Sequence, residues 1–516
     1  MKSSIDSKEN FYSVLGISMG DEGKGRVVHE ILEQTQKETK KPPFGVIKVN
    51  GGANAGHTAA GLKLNLLPSG VGNPDVNKLI IGSGVVADPR KFLWEAMPLE
   101  SRGISVLNRL QIDQKTQVSD ITHRLLDLAW ENYREKILGM EKRGSTGRGI
   151  SPAYCDETGH WQIFYQSFTE QKENFQTKLI NRVNRAIDTI KYVCKVNDED
   201  WEEFFVTLSD AERKANSSSI SDNIFKNDEF DFNLFKGDKP FSINLEYLLE
   251  TYWEAGQKLS HAICDIRKEI ISKSQDKKVI VAEFGQAYWL DKRHGFTPNV
   301  TASHTTSSEL FASTGIPIQP ITTIGCCKAY DTKVGTHHFI TKIDHSTHPV
   351  AKKLAKLEYG TSTGRQRMVG WFDAVEKGNT LRYNGFDELV INKLDALTLD
   401  NSISSSDLKI CIAYQSKDGR IVYDVPRSES DHKSLTPIYE TLKGWDEDLS
   451  LINSFDMLPK NAKIYISKMM SSIIKCAYPE SYENYILPNI RFIGVGPNPG
   501  QIISDIPATI ELINYK

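Results

Sequence analysis

No stretch of this 516-residue sequence approaches the ~18 consecutive apolar residues of a membrane-spanning helix. Its opening, MKSSIDSKEN, contains no apolar core of the kind that heads a secretory signal. A charge of one sign is also missing, since 63 Lys and Arg stand against 66 Asp and Glu. A net charge of -3 gives no reason to expect nucleic acid or a membrane as partner. The seven cysteines form no CxxC pair that would seat zinc. Only Cys326 and Cys327 adjoin, within an apolar run that reads as buried core. These absences predict a soluble, cytoplasmic protein with reduced thiols.

What is present is a repeating alternation. Short apolar runs are separated by longer amphipathic stretches, which predicts an α/β fold with a mainly parallel central sheet flanked by helices. Strands are expected over Phe11–Ile17, Gly45–Val49, Leu79–Ile81, Lys278–Glu283, Ile321–Cys327, Leu389–Lys393, Lys409–Tyr414 and Asn489–Val495. Lys417-Asp418-Gly419 marks a hairpin between Lys409–Tyr414 and Arg420–Asp424. Helical periods run through Ile121–Ile137, Phe175–Val193 and Leu245–Ile271. Val196–Pro240 departs from this pattern: it is acidic, rich in Asn and Ser, and carries dispersed phenylalanines. We expect an irregular polar insertion there, around residues 195–240, and a second polar loop at Asn401–Asp407. Residues 1–516 are expected to form one α/β domain with inserted segments.

The densest chemistry lies in Gly20-Asp21-Glu22-Gly23-Lys24-Gly25 and Gly51-Gly52-Ala53-Asn54-Ala55-Gly56-His57-Thr58. The first follows a strand and opens a helix, a P-loop-like arrangement in which backbone N–H groups and the helix N-terminus attract phosphate. It is not a Walker A loop, because no Ser or Thr follows Lys24. One glycine-rich loop is as readily a tight turn; Asp21, Lys24 and His57 together favour a site. Asn392-Lys393-Leu394-Asp395 is N-K-x-D at a strand end, where the Asp carboxylate can accept both guanine N–H groups. Gly144-Ser145-Thr146-Gly147-Arg148-Gly149 offers hydroxyls, amides and an Arg to a second phosphate. Thr361-Ser362-Thr363-Gly364-Arg365-Gln366-Arg367 places two guanidinium forks beside hydroxyls, a set suited to a small dicarboxylate. Gln286 follows a strand and could meet a base edge. Lys292-Arg293-His294 and His337-His338 lack neighbouring carboxylates or cysteines at ligand spacing and read as surface or loop residues.

With Leu67-Pro68-Ser69-Gly70, Asp291–Thr306, Lys328–Gly335, Pro437–Trp445 and Gly496-Pro497, these motifs stand in one order from end to end. The chain resembles the adenylosuccinate synthetase family. The resemblance implies a GTP- and magnesium-dependent ligase of purine biosynthesis, usually a homodimer. Such an enzyme joins IMP to L-aspartate, giving adenylosuccinate, GDP and phosphate. Carried over by position, Asp21 resembles the general base and, with the Gly56 carbonyl, a magnesium ligand. His57 resembles the general acid, and Lys24 the residue that stabilises phosphate charge. Gly23, Gly25, Gly56, Thr58, Lys393, Asp395 and Gly496 resemble the GTP site. Asn54, Thr146, Gln286 and Thr301 resemble the nucleoside monophosphate site, and Thr363, Arg365 and Arg367 the aspartate site.

This sequence departs from the family mainly on the monophosphate side. Met19 stands where an aromatic residue is usual, Asn50 replaces Gln, and His304 alters the Ser-x-Asn-Thr-Thr pattern. Counting from Thr146, His160 falls where the family places an Arg that reaches the monophosphate of the neighbouring subunit. The segment between His160 and Glu283 is longer than the family leads one to expect. The same chemistry on another purine monophosphate such as dGMP is the near alternative, though relatives of that kind typically carry Ser at the position of Asp21. A non-catalytic guanine-nucleotide-binding homologue is the alternative of another class, and the retention of both base and acid weighs against it.

Overall fold

The computed structural model describes residues 10–334, 338–359, 366–399 and 407–515. Ten strands, β1 to β10 in chain order, build the central sheet. They are Phe11–Gly16, Gly45–Lys48, Lys78–Ile81, Leu110–Asp113, Ile263–Cys264, Ile280–Glu283, Thr322–Lys328, Glu388–Asn392, Asn489–Gly494 and Ile502–Ile503. Their spatial order is β10-β9-β8-β7-β1-β6-β2-β3-β4-β5. Every neighbouring pair is parallel except β9 and β10, so the expected mainly parallel sheet is what forms.

The inner strands are continuous apolar runs because helices cover both faces of the sheet. Successive side chains feed opposite cores: Phe11, Leu15, Ile47, Ile280 and Ala282 join one cluster, and Val14, Val46 and Val281 the other. All seven residues of β7 are buried, Cys326 and Cys327 among them. The expected hairpin forms between Asp407–Gln415 and Ile421–Val422, but in a separate four-stranded sheet.

Six helices matter for the site: α1 (Lys24–Thr39), α2 (Pro89–Glu100), α3 (Ile121–Asn132), α4 (Ile150–Thr158), α5 (Lys172–Asp188) and α6 (Asp198–Ala215). Helix α3 begins at a capping box in which Asp120 accepts from Thr122 N at 2.7 Å. The helical periods at 121–137 and 175–193 hold, each ending in a turn of wider π geometry.

Two expectations are corrected. The stretch read as one helix over Leu245–Ile271 is broken: a helix at Leu245–Leu259 gives way to edge strand β5, and Asp265 then caps a new helix, Ile266–Gln275. The stretch 196–240 is irregular only in its second half: α6 fills the first, and a short helix, 3-10 turns and loops follow. Its acidic cluster, Asp198, Glu199 and Asp200, forms the first turn of α6, and Arg213 and Lys214 lie in the last. Each sign thus faces the helix-dipole end that attracts it. Trp201, Phe204, Phe205 and Leu208 recur at helical spacing and are buried in the cluster that covers the sheet, together with Phe230, Phe232 and Phe235. The polar composition is the outer face of an amphipathic helix. The second polar loop, Asn401–Asp407, lies outside the described residues apart from Asp407.

Trp201 is fully buried, with ring centroids of Phe205 and Phe241 at 5.0 and 5.3 Å. Trp201→Ala should therefore destabilise the whole protein by about 3–5 kcal/mol in urea unfolding. An unchanged unfolding midpoint would mean that this stretch does not share the core.

Candidate functional site

A cleft of about 580 Å³ opens at the carboxyl ends of β1, β2, β6 and β8, where ligands gather in doubly wound sheets. Three non-glycine residues after these strands hold left-handed backbone: Asp21 (φ 61°), Gln286 (φ 53°) and Lys393 (φ 60°). Each such residue costs on the order of 1 kcal/mol. All three line the cleft, so the strain falls where side chains are aimed at a ligand.

The phosphate loop runs from β1 into α1. Gly23, at φ 83°, is the N-cap of α1 and brings no capping side chain, and no acidic residue occupies the first turn. The helix therefore presents unshielded amides. A Cβ on Gly25 would stand 2.8 Å from the Thr58 carbonyl, so the two glycine-rich segments touch only because that residue has no side chain. Lys24 Nζ lies 2.9 Å from Glu22. Burial acts to lower the ammonium pKa, but the Glu22 charge overrides it and the pKa is raised.

His57 Nδ1 is 2.8 Å from the Ala55 carbonyl, which only accepts, so Nδ1 carries the hydrogen. Nε2 is then the atom that gains or loses a proton, and it sits 3.3 Å from Glu283 Oε1. Burial pulls the His57 pKa down and the Glu283 charge opposes it. Glu283 is itself buried and accepts from Ser69 N and Oγ at 2.8 and 2.9 Å. Burial alone would raise its pKa, but the His57 and Lys48 charges hold it below the ordinary value. The sequence pointed to the segment Glu283–Gln286 only for its glutamine; the carboxylate partner of His57 was missed.

Arg367 joins this group, with its Nε 2.7 Å from Asp21 Oδ2. Thr363 and Arg365, expected beside it, lie outside the described residues, as does His337. On the guanine side Lys393 lines the cleft, and its Nζ donates to Glu358 at 2.6 Å. Asp395 and Gly496 are not cleft-lining residues; they converge instead on Arg26, which donates to the Gly496 carbonyl. Burial holds the Asp395 carboxyl above its usual range.

On the acceptor side, Asn54, Arg143, Ser145, Thr146, Gln286 and Thr301 face one another across the cleft. Gln286 Nε2 and Oε1 and Thr301 Oγ1 are buried and make no hydrogen bond within the protein. Buried polar atoms with no partner in the protein are free to take one from a ligand or from water. Asn50 is fully buried and ties three segments together, donating to Ser303 Oγ at 2.9 Å and His304 O at 2.8 Å and accepting from Gly285 N at 2.8 Å. His304 turns to Asp291, at 3.2 Å. Met19 is buried against the cleft wall. His160 follows α4, exposed and outside the cleft of its own chain. Arg148, the cation expected to serve a phosphate, also lies off the cleft and pairs with Glu212.

The adenylosuccinate synthetase family model matches residues 13–228 and 221–498. The adenylosuccinate synthetase of Salinibacter ruber is 30% identical over 503 residues, covering 96% of this chain and 98% of its own length. That of Acetivibrio thermocellus is 32% identical over 495 residues, covering 95% and 98%. Among solved structures, the fully ligated adenylosuccinate synthetase from Plasmodium falciparum superposes with a TM-score of 0.75 at 26% identity, covering 96% of this chain and 99% of that one. A cyanophage S-2L succinoaminodeoxyadenylate synthetase bound to dGMP and dATP shares the fold at a TM-score of 0.50 and 14% identity. The motif order, the parallel sheet and the near end-to-end match agree: the chain belongs to the adenylosuccinate synthetase family, enzymes of the ligase class that act in purine biosynthesis.

Proposed function

We propose that the cleft joins L-aspartate to IMP with GTP as phosphoryl donor, with Asp21 as general base and His57 as general acid. Asp21 takes the N1 proton of the hypoxanthine ring, and O6 attacks the γ-phosphorus of GTP to give 6-phosphoryl-IMP and GDP. The aspartate amine then adds at C6 and phosphate leaves, yielding adenylosuccinate. His57 Nε2 hydrogen-bonds the transferring group, and Lys24 with the α1 amides neutralises phosphate charge. The observation that carries this reading is the convergence of Asp21, Lys24 and His57 on one cleft with the orphaned amide of Gln286. Arg367 serves aspartate, Thr146 and Thr301 the acceptor nucleotide, and Lys393 with Asp395 the guanine base.

Among the described residues no three His, Cys, Asp or Glu side chains converge as a metal cage. Mg²⁺ needs none, because it is held by one or two carboxylates together with phosphate oxygens and water. Asp21 and the Gly56 carbonyl, both lining the cleft, fit that donor set. Bound there, the ion would draw charge off the phosphates. We further propose a cytoplasmic homodimer. All seven cysteines are free thiols, as in a reducing compartment, and no described helix is long and apolar enough to cross a membrane. His160, exposed outside its own cleft, would reach an acceptor phosphate only from a second copy of the chain.

Asp21→Asn and His57→Asn should each lower kcat by about 10²–10⁴ in GDP release with IMP and aspartate, while GTP binding persists. Wild-type turnover in either would remove its role. Because Glu283 opposes the fall in the His57 pKa, Glu283→Gln should lower that pKa further. The activity lost as pH rises through it should then go about one pH unit sooner; a profile that stays in place would contradict the pairing. GTP should outcompete ATP, and Asp395→Asn should relax that choice, because a site built for a hydrogen-bonded base rejects one that leaves its groups unpaired. Equal use of both nucleotides by the unmutated protein would refute the guanine assignment.

A further inference from the structure

The stretch 196–240, expected from the sequence to be an insertion, meets the loop on the acceptor side of the cleft through Glu212. Glu212, near the end of α6, is fully buried. Its Oε1 accepts Arg124 Nη1 at 2.9 Å and also meets Arg148 Nη1. Its Oε2 accepts Asn216 Nδ2 at 3.2 Å. Arg124 passes the connection on, since its Nε donates to the Gly147 carbonyl at 3.0 Å. Arg148 belongs to the same loop, Gly144–Gly149. The rest of that loop hangs on α3, where Asp127 accepts Gly149 N at 3.1 Å and Glu131 accepts Gly144 N at 3.0 Å.

Two guanidinium groups packed side by side out of water repel each other and need a carboxylate between them. Burial, and then Arg124, push the Arg148 pKa down to about 9, and burial pushes that of Arg124 down to about 10. The insertion also closes this place to solvent. Its Phe232 ring lies 4.7 Å from the Arg124 guanidinium, and Phe232 and Phe235, with Trp94 and Tyr252, surround Arg90 at 4.8–5.0 Å. Arg148 is thereby turned from the cleft, whereas Ser145 and Thr146 of the same loop line it.

We propose that Glu212, supplied by the insertion, is a positioning residue for the acceptor nucleotide: it withdraws Arg148 and, through Arg124, sets the backbone that presents Ser145 and Thr146. The inference rests on the reading that Gly144–Gly149 holds the nucleoside monophosphate. The acceptor phosphate is then met by hydroxyls and amides of a loop whose shape is fixed from behind, and the insertion tunes acceptor affinity without touching the substrate. Binding of GTP and aspartate, which this loop does not serve, is independent of it.

The test compares Glu212→Gln and Glu212→Asp with Thr146→Val in the full-length protein. It measures KM for IMP, GTP and aspartate, kcat, and amide hydrogen exchange of peptides spanning 144–149. Glu212→Gln should raise the KM for IMP about tenfold, leave those for GTP and aspartate within about twofold, and speed exchange in the loop but not in the central sheet. Glu212→Asp, which keeps the charge, should recover part of the loss. If Glu212→Gln does not fold, the double variant Glu212→Gln/Arg148→Met removes one of the two buried guanidinium groups together with the carboxylate charge and leaves Arg124 an amide acceptor; it should still raise the KM for IMP, because Arg124 has lost its charged anchor. Unchanged IMP KM and loop exchange in the folded variants would overturn the proposal, as would an equal rise in all three KM values, the mark of a merely structural role. If Thr146→Val raises the KM for IMP and Glu212→Gln does not, this inference alone fails. If Thr146→Val leaves it unchanged, the assignment of the loop to the monophosphate fails first.

Discussion

The Glu358 carboxylate, fully buried, ties four side chains together. Its Oε1 accepts Lys393 Nζ at 2.6 Å and Tyr330 Oη at 2.5 Å, and its Oε2 accepts Lys328 Nζ at 3.0 Å and Arg367 Nη1 at 2.7 Å. Burial would raise its pKa, but the lysine charges hold the group far below the ordinary carboxylate range. One anion thus fixes Arg367, Lys393 and the end of β7, which on the proposed reading joins the aspartate side of the cleft to the guanine side. Lys328 and Arg367, both buried, would carry an uncompensated desolvation penalty without it. Arg367 passes the constraint on to Asp21 and hence to the phosphate loop.

The same logic repeats around the cleft. Glu22 holds Lys24, Glu283 faces His57 and Lys48, and Glu212 holds Arg124 and Arg148. In each case a buried carboxylate sets the position of a basic group that a polyanionic substrate would otherwise pull out of place. Such preorganisation matters for phosphoryl transfer, where the protein acts mainly by placing charge before the reaction begins. The glycines serve the same end from the other side, letting backbone amides approach where a side chain would intrude.

Much of this was legible in the sequence. The apolar runs at Phe11–Ile17 and Ile321–Cys327 became inner strands because runs buried on both faces carry their own signal, and Gly20–Gly25 and Asn392–Asp395 sit at strand ends as their spacing implied. What escaped was of two kinds. Edge strand Ile263–Cys264 is two residues long and sits inside a helical period, so only pairing with Ile112 and Asp113 reveals it. The stretch 196–240 was misread because acidic composition masked the spacing of Trp201, Phe204, Phe205 and Leu208. The carboxylate partners were invisible for another reason: Glu283 and Glu212 meet their cations across 226 and 64 or more residues of chain, and no local pattern encodes such a meeting. Arg148, the basic residue of an apparent phosphate loop, was the natural candidate for a substrate contact until the fold gave it a partner.

The central claim is that O6 of the purine is phosphorylated before aspartate displaces it. IMP labelled with ¹⁸O at position 6, incubated with the enzyme, GTP, Mg²⁺ and L-aspartate, tests this directly when the inorganic phosphate is analysed by mass spectrometry. Phosphorylation at O6 requires the label to appear in the phosphate in step with adenylosuccinate formation, one ¹⁸O for each molecule of product. Label recovered in water, with unlabelled phosphate, would mean that the oxygen leaves without ever having been joined to phosphorus, and the roles given to Asp21 and His57 would fall with it.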